Sequence, residues 1–288
     1  MESKIILITG ASDGIGKETA KALAKQGHTV IIHGRNVEKA QTVRNEIVAE
    51  TGNNSIDTLI ADMVSLADVK RMADEFKQKY NRLDVLVNNA GTMCGRQRET
   101  TKEGWEKTIT VNLFAPFLLT ELLLDVLAKS ETARIVNVTS KSSMPLKPDL
   151  SDIHSEKKYN NLRTYGLSKM YKTWTTLYLA AELKKKGIEN VTANLVHPGA
   201  IASSPSILAV DYGFFINLMV RLSFPFMPKA AKGAETSIYL STSPEVENIS
   251  GKYFIKKKEV KMNDKYYTPE NVKIVWDYCM NVVKPYLC

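Results

Sequence analysis

The sequence predicts an α/β fold, a doubly wound parallel sheet of about seven strands built as a single domain. Three observations predict it. Short, apolar, β-branched segments alternate with amphipathic helical stretches from one end of the 288 residues almost to the other. These segments are apolar nearly throughout, as expected of strands covered on both faces. The stretches between them are long enough for right-handed crossovers, and no linker or low-complexity tract divides residues 1–288.

The first strand, Ile5–Ile8, runs into a glycine turn, Thr9–Gly16, and then into helix-forming Lys17–Ala24. Glycines let a backbone approach a phosphate closely, and a helix N-terminus aims unpaired N–H groups and partial positive charge at it. Strand, glycine turn and helix in that order therefore point to a nucleotide. The second strand, Thr29–His33, precedes a helix over Val37–Glu50, and the third, Ser55–Ala61, precedes one over Ser65–Tyr80. Asp84–Val87 ends in Asn88-Asn89-Ala90-Gly91, and Arg134–Val138 ends in Thr139-Ser140. Thr192–Val196 leads to His197-Pro198-Gly199, and Tyr253–Ile255 completes the set. Two stretches break the rhythm: Ser142–Leu162 is polar and long for a βα loop, and Ser203–Pro228 is rich in Phe, Leu, Ile and Met. Both leave the carboxyl ends of strands, where such sheets bind ligands.

A 44% hydrophobic content supplies an ample core and excludes a disordered chain. No apolar run reaches the roughly 18 residues of a membrane span, since the charge-free stretch Thr108–Thr120 is too short. The only apolar segment near the N-terminus is the first strand, which leaves no room for a signal peptide. Cys94, Cys279 and Cys288 show no metal-ligand or disulfide spacing, so a reducing, cytoplasmic environment and no metal are expected. The net charge of +8 is spread among acids, as in Asp68-Val69-Lys70-Arg71, and no aromatic-interleaved basic stripe speaks for nucleic acid.

Tyr165-Gly166-Leu167-Ser168-Lys169 opens a helix, and i, i+4 spacing puts phenol and ammonium on one face. Proton exchange by a tyrosine near pH 7 needs roughly 4 kcal/mol of phenolate stabilisation, which a nearby cation supplies. Taken alone, Tyr-x3-Lys also fits a solvated helix face. Ser140 closes a strand at the ligand-binding edge, where it can meet a substrate oxygen or cap a turn. Asn112 lies within an apolar helix and must find partners there, catalytic or structural.

Together these motifs resemble the short-chain dehydrogenase/reductase family, whose fold is a Rossmann-type sheet. Thr9–Gly16, Asp62, Asn88–Gly91, Asn112, Ser140, Tyr165 with Lys169, and Pro198-Gly199 occur in family order across nearly the whole chain. The resemblance implies Asn112, Ser140, Tyr165 and Lys169 as the catalytic set. Tyr165 exchanges the proton, Lys169 lowers its pKa and holds the nicotinamide ribose, Ser140 orients the substrate oxygen, and Asn112 holds a water linking Lys169 to solvent. It implies cofactor contacts from Gly10, Ser12, Asp13, Gly14, Ile15 and Gly16 in the turn, and from Asp62 and Met63 at the adenine. Asn89, Ala90 and Gly91 flank the adenosine ribose, and Pro198, Gly199, Ile201 and Ser203 line the nicotinamide. It also implies a homodimer or homotetramer built on the helices containing Asn112 and Tyr165.

Dinucleotide folds that select NAD usually carry an acid after the second strand, accepting from the ribose 2′-OH. Here Ile32-His33-Gly34-Arg35-Asn36 has none, and Arg35 with Asn36 suits a 2′-phosphate. NADP(H) is favoured and NAD(H) is the alternative, because Asp13 stands where many NADP-preferring members have a base. The long Ser140–Tyr165 interval, Arg35–Lys39 and His197-Pro198-Gly199 resemble retinol dehydrogenases and WW-domain-containing oxidoreductases. The expected activity is hydride transfer between nicotinamide and a lipophilic alcohol, aldehyde or ketone, as in a carbonyl reductase, with a steroid or fatty carbonyl as alternative substrate. A non-catalytic NADP-binding module is the competing class. Residues 203–228, with Leu208, Phe214, Phe215, Leu218, Met219, Leu222, Phe224 and Phe226, read as a substrate cover, since apolar burial contributes about 25 cal/mol per Å². A core helix or subunit contact is the second reading of this segment, and weak contact with a membrane surface is the third.

Overall fold

The computed structural model describes residues 2–140, 146–199, 201, 211, 213–262 and 265–287; side chains at 214–216, 220, 221 and 225 lie outside the description. Eight strands form one sheet in the order β3-β2-β1-β4-β5-β6-β7-β8. They are β1 (Ile5–Ile8), β2 (Thr29–Gly34), β3 (Ile56–Ile60), β4 (Val85–Asn88), β5 (Ala133–Val138), β6 (Val191–His197), β7 (Tyr253–Ile255) and β8 (Lys258–Glu259). All seven expected strands are present and run parallel, each within two residues of its predicted bounds. The eighth pairs antiparallel with β7 around a turn that holds Lys256 and Lys257 at φ 50° and 62°. Its two charged residues carry no apolar signal, which is why the sequence reading missed it.

The helices are α1 (Gly14–Lys25), α2 (Val37–Thr51), α3 (Leu66–Lys79), α4 (Lys107–Leu127), α5 (Asn161–Lys185), α6 (Phe214–Ser223), α7 (Ala230–Thr242) and α8 (Pro269–Val283). Short polar side chains start them: Asp13, Asn36, Ser65, Asn160 and Thr268 each accept a first-turn N–H of α1, α2, α3, α5 and α8. Side-chain alternation along the strands divides the core in two. Ile6, Ile8, Val30, Ile32, Val85 and Val87 pack under α1, α2 and α7. Leu7, Ile31, Leu86 and Ile135 pack under α3, α4, α5 and α8.

One sequence expectation needs correcting here. The 21-residue helix Lys107–Leu127 is long and apolar enough, by composition, to cross a membrane. Its apolar window is 83% buried by the rest of the protein, so in this fold it is a core helix. The helix runs through Lys107 and Glu121, which bound the charge-free stretch, and continues over the apolar residues that follow Glu121. Within it, Thr110–Phe114 form a π turn, and Asn112 lies at its centre.

The chain reverses direction across the sheet after β3, returning to place β4 beside β1. The carboxyl ends of β1 and β4 therefore border a crevice. The helix α5 that closes one side of it is anchored by Trp174, fully buried and in edge contact with Tyr171 at 5.8 Å. Trp174→Ala should cost about 3–5 kcal/mol in a urea unfolding experiment, the usual range for a buried aromatic. A loss below about 1 kcal/mol would place Trp174 outside the cooperative core.

Candidate active site

The glycine turn is held from both neighbouring strands. From the β4 side, Asn89 Nδ2 donates to the Thr9 and Gly10 carbonyls at 2.9 and 3.2 Å, and the Ala90 N–H donates to Thr9 Oγ1 at 3.0 Å. From the β2 side, the Gly10 N–H donates to His33 Nδ1 at 3.0 Å, and the Ala11 N–H to the His33 carbonyl at 2.9 Å. Gly16 sits at the crossing point. A Cβ there would lie 2.3 Å from the Gly10 carbonyl oxygen and 2.5 Å from Asn89 Nδ2, so no other residue fits.

His33 is the functional residue that the sequence reading passed over. Its ring is 2% exposed, with Nδ1 accepting from Gly10 and Nε2 3.1 Å from the Ala61 carbonyl. These partners require the neutral tautomer protonated on Nε2. Burial holds its pKa down at about 4, against weak opposition from Ala61 and Asp62. The available signal was a histidine inside a buried strand, which must find partners for both nitrogens.

Around the turn, Arg35 is exposed at the start of α2, and Asn36 caps that helix by accepting the Lys39 N–H at 2.7 Å. Asp13 caps α1 through Oδ1, while its Oδ2 receives Lys39 Nζ at 2.7 Å. The acid inside the turn is thus paired with a base that the sequence reading did not connect to it. Asp62 is exposed at the end of β3 and accepts the Val64 N–H, whereas the Met63 side chain is 5% exposed and belongs to the core. Only the Met63 backbone is left to face the crevice. Ile15 and Ile201 both press on Gly233 of α7, which brings that helix against the turn. Pro198 and Gly199 are half-buried at the end of β6. Ser203 lies outside the described residues, as do Leu208 and the side chains of Phe214 and Phe215.

At the carboxyl ends of β4 and β5, α5 brings the expected polar residues together. Ser140, following β5, hydrogen-bonds the Tyr165 phenol. Burial pushes that phenol above its ordinary pKa, and Ser140 opposes the rise. Lys169 Nζ lies 5.7 Å from the centre of the Tyr165 ring and donates to the Val138 carbonyl at 3.5 Å. Only 4% exposed, its amine is pulled down to about 8 by burial. Gly91 makes room for it, because a Cβ there would come within 3.0 Å of Nζ and 3.2 Å of Asn112 Oδ1. Asn112 is fully buried, and both ends of its carboxamide are engaged. Oδ1 accepts the Thr92 N–H at 2.9 Å, while Nδ2 donates to the Thr92 carbonyl at 2.8 Å and Ser168 Oγ at 2.9 Å.

The insertion that broke the sequence rhythm is tied down beside this cluster over its described part. Asp152 accepts the N–H groups of Glu156, Lys157 and Lys158, and Arg98 donates to the Ser155 carbonyl at 2.8 Å. Tyr159 donates to the Gly95 carbonyl at 2.9 Å. Asp211 and Gly213, before α6, lie against Gly95 and Arg96. Beyond them Leu218, Met219, Leu222 and Phe226 are 45%, 71%, 66% and 89% exposed, so these four are not the core side chains that one sequence reading made them.

Residues 4–207 match the family model described as short chain dehydrogenase. Among similar proteins, retinol dehydrogenase 12 of Mus musculus is 34% identical over 274 residues, covering 95% of this chain and 84% of that protein. Polyprenol dehydrogenase of Homo sapiens is 34% identical over 279 residues, covering 95% and 83%. Among solved structures, a short chain dehydrogenase from Shigella flexneri 2a complexed with NADP superposes with a TM-score of 0.69 at 25% identity, covering 90% of this chain and 98% of that one.

The His33 geometry makes a pH prediction. Between about pH 6.5, the ordinary histidine value, and about pH 4, the unfolded chain binds a proton at His33 that the folded chain does not. Stability from this residue is complete above that window and falls as pH drops through it, by about 1.4 kcal/mol per unit. Urea unfolding at pH 7, 6 and 5 should show a shallower acid loss for His33→Asn than for wild type. Equal losses in both would remove His33 from the account.

Proposed function

The chain belongs to the short chain dehydrogenase family, and from that premise we propose that it is an NADP(H)-dependent oxidoreductase interconverting a lipophilic alcohol with its aldehyde or ketone. The observation that carries this reading is the meeting of Ser140, Tyr165 and Lys169 at the strand ends beside the glycine turn. A binding-only module has no need to keep that set. The relatives named for retinol and polyprenol support an apolar substrate, and the α6 segment beside the Gly95–Arg96 loop suits a cover over it.

The residues present fit a dinucleotide. The turn packs so closely on α1 that a Cβ at Gly16 would strike the Gly10 carbonyl and the Asn89 amide, and α1 begins at this turn with its N-terminal N–H groups. Arg35, exposed at the α2 N-terminus, is suited to a 2′-phosphate. Asp13, the residue that spoke against NADP in the sequence, has its charge compensated by Lys39. Bound there, the nicotinamide supplies or takes the hydride.

In this reading Ser140 donates to the substrate oxygen and fixes its position. Tyr165 then gives its phenolic proton to that oxygen in reduction and recovers it in oxidation. Burial alone raises the Tyr165 pKa, so phenolate formation depends on the Lys169 ammonium being close. As the family resemblance implies, Asn112, at the centre of the π turn, holds a water that relays protons to Lys169 in this reading.

A panel of apolar aldehydes and ketones followed by NADPH oxidation, with NADH in parallel, tests the proposal. Turnover should be seen with NADPH, and Tyr165→Phe should abolish it while leaving NADPH affinity within a few-fold. Absence of turnover across the panel by a protein that binds NADPH would overturn the enzymatic reading. Arg35→Ala should weaken NADPH binding by roughly 10–100-fold, the loss of one charge-assisted contact, with NADH binding little changed. Equal effects on both cofactors would contradict the NADP assignment.

A further inference from the structure

The helices that carry Asn112 and Tyr165 have no open side along their middle turns. Residues 108–120 of α4 and 166–176 of α5 are buried without interruption. A helix lying on a sheet normally keeps one polar, solvated stripe, and neither stretch does. The sheet covers one side of the pair, and α3 borders α4. The outer side is closed by α8, which begins at Pro269, beyond the residues 4–207 that match the family model.

The sequence of α8 suits that position. Val272, Val275, Cys279, Val282 and Val283 are buried at helical spacing and join the same core as α4 and α5. Trp276 touches both helices at once, its ring 4.8 Å from Phe117 of α4 and 4.7 Å from Tyr178 of α5. Tyr278 lies 6.0 Å from Phe114 of the π turn and stacks at 6.3 Å on His154 of the insertion before α5. Just ahead of the helix, Tyr267 meets Trp174 at 6.4 Å. The start of α8 is fixed as well, because Thr268 accepts the Asn271 N–H and Asn271 Nδ2 donates to the Tyr266 carbonyl. The opposite face is polar. Glu270, Lys273, Asp277 and Asn281 are exposed, and Lys273 pairs with Asp277 at 2.6 Å. Ile274, 40% exposed, is the one large apolar side chain of α8 left to solvent.

We propose that α8 is an in-chain substitute for a second subunit: it occupies the α4–α5 face on which the family resemblance implies a homodimer, so this chain does not pair with a copy of itself there. A two-fold interface presents the same patch on both copies, about 800 Å² on each, with an apolar centre. Here that patch is already covered from within the chain. What α8 turns outward is charged, and charged residues are depleted from interface centres. A second copy reaches α4 and α5 only by displacing α8, which returns Trp276, Tyr278 and the buried valines to water. The competition favours α8, since residues 260–268 tether it to β8 and hold it at a local concentration on the order of millimolar. One copy therefore braces Asn112, Tyr165 and Lys169 by itself. The proposal concerns assembly and stands apart from the oxidoreductase reading.

Light scattering on the full-length chain, with hydrogen exchange over α4, α5 and α8 at low and high protein concentration, tests it. The mass should be that of one 288-residue chain at both concentrations, with α8 as protected as α5. A two-copy mass in which α8 exchanges freely while α5 stays protected overturns the proposal, because a partner then covers the face. A Val275→Asp, Trp276→Asp double variant should undock α8. Its α8 should lose protection, and its mass should rise to two or more copies as concentration increases. A folded variant whose α8 exchanges freely, yet which stays a single copy at high concentration, overturns α8 as a substitute for a subunit. If the variant loses the circular dichroism of the sheet, the wild-type mass and exchange pattern still decide.

Discussion

The clamp on the glycine turn is the constraint from which the rest of the site follows. The Gly10–Gly16 segment is fixed by Asn89 and Ala90 from β4 and by His33 from β2, across 80 and 23 residues of sequence. Such bonds form only once β1 is seated between its two neighbours, so the cradle is a product of the whole sheet. The same seating sets the height of Gly91, three residues beyond the end of β4. That in turn leaves the gap through which Lys169 reaches toward Tyr165. The glycine turn and the Ser140–Tyr165–Lys169 cluster are therefore positioned by one set of strand ends.

Among the described residues, no carboxylate pairs with the buried amines of the site. Lys169 and Lys172 both end on backbone carbonyls rather than carboxylates. A buried cation held this weakly is easily deprotonated. The Asp13–Lys39 pair shows the opposite case. It is half-exposed and solvent-screened, so it adds little stability, and its value lies in removing a negative charge from a phosphate cradle.

What could be read from the sequence was what is local. Seven strands were legible because a strand buried on both faces is an unbroken apolar run, and β8 was not because Lys258-Glu259 is neither apolar nor long. The glycine turn, Ser140, Tyr165 and Lys169 were legible as spacings. The partners of these residues were not, since His33 to Gly10, Lys39 to Asp13 and Lys172 to Asn88 are pairings made by tertiary approach. Composition also cannot tell inside from outside. The Met63 side chain is core, while Phe226 and Met219 face outward despite their apolarity. Asn112 was placed correctly as a polar residue in an apolar helix, but its carboxamide braces Thr92 and Ser168 instead of pointing to a free site.

Calorimetric titration of NADPH into wild type and Gly16→Ala tests the clamped cradle most directly. A methyl group at that position meets backbone at 2.3 Å and the Asn89 amide at 2.5 Å, so the turn must open to admit it. The account predicts NADPH binding by wild type and its loss in a Gly16→Ala protein whose circular dichroism still reports the folded sheet. Unchanged NADPH affinity in the folded variant would contradict it.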